Sequence, residues 1–284
     1  MDKMFLATNL ISINMTTNKN YKILSMIRTF DDCWQLQNVT ISGFDTNEIS
    51  SISGLFSWTN ITSMSNIKFE NFKASNLEDI SDLFSYTALE KVYSLFFGEA
   101  PKIKNISRLF AHSTKLIEVD LNILKSYKPT DISGMFKQCG NISKIDMSPL
   151  DTSKVTTMSY LFWHCDNLTE LTINKVDTSS VTNMGCMFTF CNKLKSLDLS
   201  NFNTEKVINM TEMFSFLGKL ENLNIKSFNT KLVEDMHSMF YFTSKLTSLD
   251  LTHFVTSNVK DMSYMFGECH ALKTLKINNF DTSK

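Results

Sequence analysis

The sequence contains few of the residues that mark linkers, membrane spans and nucleic-acid-binding surfaces. Its 284 residues include only 3 Pro and 8 Gly, so no flexible linker or Pro-rich tail is expected. No uninterrupted apolar run approaches the roughly 18 residues that a membrane span requires. The formal net charge is -1, and the only arginines are Arg28 and Arg108. The sequence therefore predicts no nucleic-acid partner and no direct membrane insertion of this segment.

Catalytic and metal-binding motifs are also missing. The chain has no HExxH motif, no phosphate-binding loop and no Gly-rich nucleotide fingerprint. Its histidines stand at scattered positions, and none pairs with a Cys or Ser as an activated nucleophile requires. They are His112, His164, His237, His253 and His270. We therefore expect no enzymatic activity, no metal site and no cofactor.

The chain does contain a repeat that runs through nearly all of it. Phenylalanines recur every 26 residues, with one longer interval of 28 between Phe56 and Phe84. Self-similarity at a period of about 20 to 50 residues indicates a solenoid. Residues 1–284 are therefore predicted to form a single solenoid of about ten to eleven coils. The phenylalanines that we expect to fill its core are Phe136, Phe162, Phe188, Phe214, Phe240 and Phe266.

Each coil combines two hydrophobic rhythms. The segment Leu272-x-x-Leu275-x-Ile277 has the Leu-x-x-Leu-x-Leu signature of the strand in a leucine-rich repeat. Asp281-Thr-Ser supplies side chains that begin a helical or 3₁₀ turn. Between Val259 and Cys269 the apolar residues are spaced by three, which favours a 3₁₀ turn or a short helix. The predicted class is thus α/β, a right-handed solenoid with one parallel sheet.

The repeat is uneven along the chain. It diverges at 1–29 and at 84–130, and the sequence stops halfway through a coil at Lys284. Solenoids need polar caps at their ends, and neither end carries one. We therefore expect the chain to be a fragment of a longer array. On that expectation, the missing signal peptide says little about export.

Five of the six cysteines share one repeat position, three residues after the core Phe. Other coils place Thr, Ser or Leu there, so the position selects a small buried side chain and not a thiol. We expect free buried thiols. The alternative is a disulfide or metal among Cys139, Cys165 and Cys191, which would stack about 5 Å apart in successive coils.

Polar residues occupy the strand positions that should point outward. Four of them, Asp120, Asp146, Asp198 and Asp250, form a broken acidic column, with Thr172, Asn224 and Lys276 at equivalent positions. One interpretation is a binding face for a cation or a basic partner. The other is an ordinary solvated strand face, since interface hot spots favour Trp, Tyr and Arg.

The motif Leu-x-x-Leu-x-Leu-x-x-Phe-Asp-Thr-Ser-x-Val-x-x-Met-x-x-Met-Phe-x-x-Cys resembles the repeat of the BspA-like leucine-rich-repeat surface proteins. The similarity is to the 26-residue branch that is common in mycoplasma surface lipoproteins, and it is strongest over 131–284. It implies a cell-surface or secreted adhesion scaffold with a protein or glycan ligand, including one from a host, and no catalytic residues. The alternative is an intracellular scaffold that assembles partner proteins.

Overall fold

A computed structural model describes residues 1–98 and 100–283. The coils stack in parallel, and each contributes a short strand, a corner and a long turn segment around the core Phe. In the coils of β6 to β10 the corner holds a buried Thr. This arrangement confirms the predicted repeat solenoid. The strands of the described part are β1 Ser12–Thr16, β2 Asn38–Ser42, β3 Ile67–Phe69, β4 Lys91–Val92, β5 Glu118–Val119, β6 Lys144–Asp146, β7 Glu170–Thr172, β8 Ser196–Asp198, β9 Asn222–Asn224, β10 Ser248–Asp250 and β11 Thr274–Lys276.

The strands do not form the single sheet that the sequence predicts. Over residues 1–98 and 100–283 they make one three-stranded sheet, β1-β2-β3, and four pairs, β4-β5, β6-β7, β8-β9 and β10-β11. All pairing is parallel and in register, for example Ile145 opposite Leu171. The sheet is interrupted because strands of two or three residues offer only a few ladder hydrogen bonds before the chain turns away.

The predicted α/β class is not confirmed, because no α-helix occurs in the described part of the chain. Its only helices are two 3₁₀ helices, η1 Met64–Asn66 and η2 Leu121–Leu124. The segment that we expected to form a 3₁₀ turn or a short helix is a stack of turns. There, alternate N–H groups bond to the next coil and the others bond three residues back: Phe136 donates to the Leu161 carbonyl, and Met135 to the Ile132 carbonyl. Since half of the N–H groups leave the coil, a helix cannot propagate.

Two left-handed residues in each coil produce this alternation. They stand two residues before and two residues after the core Phe, and most of them are not glycine. In the regular half of the chain φ lies between +53° and +64° at these positions. They are Gly134 and Gln138, Tyr160 and His164, Cys186 and Phe190, Glu212 and Phe216, Ser238 and Phe242, and Tyr264 and Glu268.

A column of single parallel bridges accompanies the turns. It runs without a gap from Ser51 through Asp131 and Asn209 to Asp261. At each of these positions the side-chain oxygen accepts a hydrogen bond from the backbone N–H two residues later, as Asn209 Oδ1 does from Thr211 at 2.8 Å. This turn stack is therefore more continuous than the strand face.

The Thr of the Asp-Thr-Ser motif joins one coil to the next. The Thr204 hydroxyl donates to the Asn229 carbonyl at 2.9 Å and accepts from the Asn229 N–H at 2.7 Å. Thr178 and Thr230 repeat the same pair of bonds with the following coils. The motif was expected to begin a helical or 3₁₀ turn, and its Thr carbonyl does accept from the N–H three residues later, as Thr204 does from Val207 at 3.0 Å. No helix follows, and the Thr side chain forms a buried hydrogen-bonded corner.

The core is a stack of phenylalanines along the solenoid axis. Successive rings from Phe5 to Phe266 lie 5.5–6.2 Å apart between centroids, nearly parallel. The predicted core residues Phe136, Phe162, Phe188, Phe214 and Phe240 are buried, whereas Phe266 is partly buried and stacks on Phe240.

The cysteines are free, and those at the shared position each donate a hydrogen bond to a carbonyl of the preceding coil. Cys165 Sγ, for example, lies 3.2 Å from the Phe136 oxygen, and Cys191 Sγ lies 3.2 Å from the Phe162 oxygen. Burial raises the pKa of both thiols. A Thr at the same position, such as Thr59, bonds to the carbonyl of its own Phe. The position thus mostly holds a small hydrogen-bond donor.

The two 3₁₀ helices lie in the irregular coils. The two-residue insertion after Phe56 falls at η1, directly before β3. In the divergent stretch 84–130, η2 follows β5 and buries Leu121 and Leu124. The coil stack therefore continues across both irregularities.

Candidate binding surfaces

The predicted strand-face residues lie on one side of the solenoid in the order that the repeat requires. Asp146, Asp198 and Asp250 are exposed at the ends of β6, β8 and β10. In the neighbouring strands their register partners are Thr172, Asn224 and Lys276. The structure thus brings six of the seven predicted residues together in three cross-strand pairs.

Asp120 is the exception. It lies beyond the end of β5 and caps η2, where its Oδ1 accepts from the Asn122 N–H at 3.0 Å and from the Asn122 side chain at 2.8 Å. Because β5 ends at Val119, Asp120 has no register partner in a named strand, although its carboxylate makes the same local hydrogen bond as those of Asp146, Asp198 and Asp250. The physical reason is the local sequence, which favours a 3₁₀ turn with an Asp cap over a longer strand.

The carboxylates of the column already have local partners. Asp146, Asp198 and Asp250 each accept a hydrogen bond from the backbone N–H two residues later, at 2.9–3.1 Å. For Asp198, the hydrogen bond from the Ser200 N–H and then the Asn224 amide, 2.9 Å away, lower the pKa of the carboxyl. The Thr252 hydroxyl and then the Lys276 ammonium lower the pKa of Asp250. The strand face is thus an ordered surface of fixed charges and amides.

The column does not have the geometry of a cation site. Asp146, Asp198 and Asp250 follow one another at intervals of two coils, which corresponds to about 10 Å at the usual strand spacing, whereas Asp120 is one coil from Asp146. Oxygen ligands around a cation lie within about 2.6 Å of it, so no two of Asp146, Asp198 and Asp250 can share one ion. Among the described residues, no three His, Cys, Asp or Glu side chains converge closely enough to hold a metal.

A second surface, which the sequence analysis missed, lies on the turn side. The residues two positions after each core Phe point outward and stack on one another as an outer ladder. Its rings lie 3.8–4.2 Å apart in Trp58–Tyr86–His112 and in His164–Phe190–Phe216, and Phe242 follows at 5.6 Å. Gln138 separates the two halves of this ladder. All of these residues are left-handed.

The first half of the outer ladder has a groove on each side. The charged groove, of about 450 Å³, is lined by Arg28, Asp31 and Asp82 beside Trp58 and Tyr86. Its charges are largely paired, because Arg28 lies 3.8 Å from Asp31, and Arg108 makes short hydrogen bonds to Asp82.

The neutral groove, of about 410 Å³, is lined by the same two rings together with Trp34, Asn60, Gln138 and others. Its only fully charged lining residue is Lys115. The two grooves therefore differ in charge, although they share one wall of stacked rings.

The sequence did carry a signal for the outer ladder. Seven of the eight positions from Trp58 to Phe242 hold a Trp, Tyr, His or Phe at a fixed offset from the core Phe. The signal is easily overlooked because the same segment contains the apolar residues that fill the core. Their spacing by three fits a 3₁₀ turn or a short helix, which gives no reason to expect an outward row of rings. Only the left-handed backbone turns these side chains outward.

Comparison with solved structures finds similarity to leucine-rich-repeat proteins. It is similar to the crystal structure of a leucine-rich-repeat protein from Bacteroides ovatus, at 16% identity and TM-score 0.43, covering 95% of this chain and 77% of that one. A leucine-rich cell-surface protein from Faecalibacterium prausnitzii matches at 14% identity and TM-score 0.46, covering 94% and 79%. A leucine-rich-repeat protein from Eubacterium ventriosum matches at 16% identity and TM-score 0.45, covering 94% and 73%.

No curated protein matches the chain. Within the described residues, no helix is both long enough and apolar enough to cross a bilayer. A protein-family profile matches at residues 1–121, 130–246 and 191–284, which together span most of the sequence. This match confirms the predicted relationship to the mycoplasma branch of the repeat. The chain belongs to the family described as "Mycoplasma protein of unknown function, DUF285".

Proposed function

We propose that the chain is a non-enzymatic binding scaffold, displayed at a cell surface, that docks a partner protein on its strand face. The observation that supports this proposal is the row of outward side chains on β6 to β11, in which local or cross-strand hydrogen bonds hold Asp146, Asp198, Asn224, Asp250 and Lys276. Side chains that are ordered before binding lose little entropy when a partner docks. The residues proposed to contact the partner are Asp146, Asp198, Asp250, Thr172, Asn224 and Lys276, with Asp120 at the margin.

The dimensions of the strand face favour a protein as the partner. The coils from β1 to β11 would span on the order of 50 Å at about 4.8 Å per coil. With its adjoining turns, a face of this length can supply the roughly 800 Å² that each side of a stable protein complex buries. Alternating charges, such as Lys144 beside Glu170 and Asp250 beside Lys276, would give the face a specific electrostatic pattern.

Surface display is supported by the resemblance to exported repeat proteins. The alternative, an intracellular scaffold, uses the same face and differs only in location. Protease treatment of intact source cells distinguishes the two. Loss of the chain from intact cells, with a cytoplasmic marker preserved, supports display. Protection of the chain until the cells are lysed contradicts it.

The docking face is tested with a charge-reversed variant. Asp146→Lys combined with Asp198→Lys should lower the affinity for a bound protein, identified from a panel of immobilised extracellular proteins, by about tenfold or more. Reversal of two charges on the turn side, Glu205→Lys with Glu234→Lys, changes the net charge equally and serves as the matched control. Equal binding by the two variants would show that the strand face is not the docking site.

A further inference from the structure

The neutral groove on the turn side has the features of a separate ligand site. It follows the outer ladder from Trp34, in the coil of Phe30, to Gln138, in the coil of Phe136. These five coils correspond to a length of about 20 Å. Its volume of about 410 Å³ falls within the range of roughly 300–1,000 Å³ that is typical of ligand pockets. It is independent of the strand face and of the partner proposed there.

The groove offers exposed aromatic surface from two directions. Trp34 is 59% exposed, and no other ring stacks on it in residues 1–98 or 100–283, so its indole offers free surface to a ligand. Trp58 is 48% exposed and is held in place by Tyr86, 3.8 Å away. Exposure of apolar indole surface to water is unfavourable, so these rings favour a ligand that covers them with apolar C–H surface.

Apart from Lys115, the polar groups of the groove are neutral. Asn60 is exposed, and its amide makes no side-chain hydrogen bond within the described part of the chain. Thr59 and Thr87 form part of the lining, and no carboxylate lines this groove. Burial, and then the Lys137 charge, lower the pKa of His112, which keeps its imidazole neutral at pH 7. The matching ligand therefore carries hydroxyl or amide groups and little charge.

An extended peptide fits this groove poorly. Peptides commonly add to a sheet edge through free backbone groups. Here the N–H groups of Trp58, Tyr86 and His112 already donate to the next coil, at 2.6–3.0 Å. An amphipathic helix requires an apolar groove, and this one contains Thr, Asn and Gln. Only side-chain hydroxyls, amides and ring surfaces remain to contact a ligand.

From this combination we propose that the neutral groove binds a neutral oligosaccharide. A sugar presents a C–H face that packs on an aromatic ring, and hydroxyls at its rim that pair with amides and hydroxyls. In this groove the C–H face packs on Trp34 and on the exposed part of Trp58, while Asn60 and Gln138 bond to the hydroxyls. The sugar chain lies along the groove and extends across successive coils.

The tryptophan content of the chain permits a direct test. There are 3 Trp residues, Trp34, Trp58 and Trp163, and only the third lies outside the neutral groove. In a Trp163→Phe chain, all indole fluorescence therefore comes from the groove. Neutral chito-, cello-, manno- and N-acetyllactosamine oligosaccharides are titrated to millimolar concentration. We expect at least one of them to quench or blue-shift the emission saturably.

Two variants localise the effect. In the same background, Asn60→Ala leaves every ring in place and should weaken the binding severalfold, and Trp34→Ala should weaken it about tenfold, as measured by calorimetry. Tyr264→Ala, which removes an exposed aromatic residue at a left-handed turn position elsewhere, should leave the affinity unchanged. Circular dichroism melting of each variant separates lost binding from lost folding.

Three results would overturn the proposal. The first is that no neutral oligosaccharide in the set alters the fluorescence at millimolar concentration. The second is that only sulfated or sialylated sugars bind, which would indicate simple attraction to Lys115 and its neighbours. The third is that binding survives both Trp34→Ala and Asn60→Ala, or that a protein segment and no sugar occupies the groove.

Discussion

The two long faces of the solenoid join their coils in different ways. On the strand face, segments of two to five residues pair into five separate sheets within residues 1–98 and 100–283. On the turn face, single bridges continue without a break from Ser51 to Asp261. From Phe30 to Phe240, each core Phe and the residues two before and two after it also donate a backbone hydrogen bond to the next coil. The face with the strongest strand signature is thus the less continuous one. The difference shows that in this repeat the coils are held in register mainly by their turns.

The turn face needs a source of stabilisation, because its geometry is costly. A non-glycine residue in the left-handed region costs about 1–2 kcal/mol, so two of them cost about 2–4 kcal/mol per coil. Burial of one large apolar side chain contributes about 1.5–3 kcal/mol. Each coil buries its Phe and several Met, Leu, Ile or Val residues beside it. The core therefore offsets the strain, and its loss should be the most damaging change.

The largest effect is expected from Phe188→Ala. Phe188 is fully buried between Phe162 and Phe214, at centroid distances of 5.7 and 6.0 Å. The cavity should cost about 3–5 kcal/mol, measured by denaturant unfolding. The nearby buried thiols Cys165 and Cys191 should then react with a thiol reagent much faster than Cys33, which lies many coils away.

The exposed Tyr264 provides the control for that experiment, since Tyr264→Ala removes a ring that is 69% exposed. Its effect on stability should stay within about 0.5 kcal/mol. If Phe188→Ala were equally mild, the phenylalanine stack could not be what holds the coils together.

A smaller loss is expected from Thr204→Val at the buried corner. Valine has a similar shape but no hydroxyl, so the Asn229 N–H and carbonyl each lose their 2.7–2.9 Å partner. Leaving such groups without a partner costs about 1–3 kcal/mol. Thr204→Ser keeps the hydroxyl and should recover most of the loss in thermal melting. Equal melting temperatures for the Val and Ser variants would show that the hydroxyl is not needed.

The sequence was sufficient to predict the phenylalanine stack, because the stack appears in the sequence as a fixed interval between Phe residues. Phe136 and its equivalents repeat every 26 residues, and a buried column is the simplest explanation of such an interval. The strand positions followed from the Leu-x-x-Leu-x-Leu spacing, so the outward residues Asp146, Asp198 and Asp250 were correctly placed.

Backbone conformation was harder to predict. Apolar spacing by three fits a 3₁₀ turn, and it fits equally well a turn stack in which Gln138 and Tyr160 adopt positive φ. The residue types Gln and Tyr do not predict a left-handed backbone. The neighbouring coils impose that conformation. The outer ladder and both grooves depend on it, so they could not be derived from the apolar pattern alone.

The two faces can be compared directly through a pair of asparagines. On the turn face, Asn209 Oδ1 accepts from the Thr211 N–H at 2.8 Å; on the strand face, Asn224 Oδ1 accepts from the Lys226 N–H at 3.4 Å. Asn209→Ala should cost about 1 kcal/mol, as one good hydrogen bond does. Asn224→Ala should cost less, because its bond from Lys226 is long and its amide bond to Asp198 is exposed to water. Chemical denaturation of both variants provides the measurement, and a larger loss for Asn224→Ala would reverse the proposed ranking of the faces.

The smallest effect concerns the pH dependence of the strand face. The local hydrogen bonds of Asp198 and Asp250 lower their folded-state pKa values below the ordinary 3.8. A carboxylate with a lowered pKa stabilises the fold fully above its unfolded pKa, and this contribution is lost as the pH falls from about 3.8 towards the folded value. Asp198→Asn with Asp250→Asn keeps the amide oxygens as acceptors and removes the titration. The melting temperature of this variant should therefore fall less steeply than that of the parent chain below about pH 4.

Glu205→Gln removes an exposed carboxyl that makes no side-chain hydrogen bond in the described part of the chain, and it should leave the slope unchanged. If the double variant kept the full acid sensitivity, the strand-face carboxylates would not be fixed by their turns, and the preorganised docking surface would lose its physical basis.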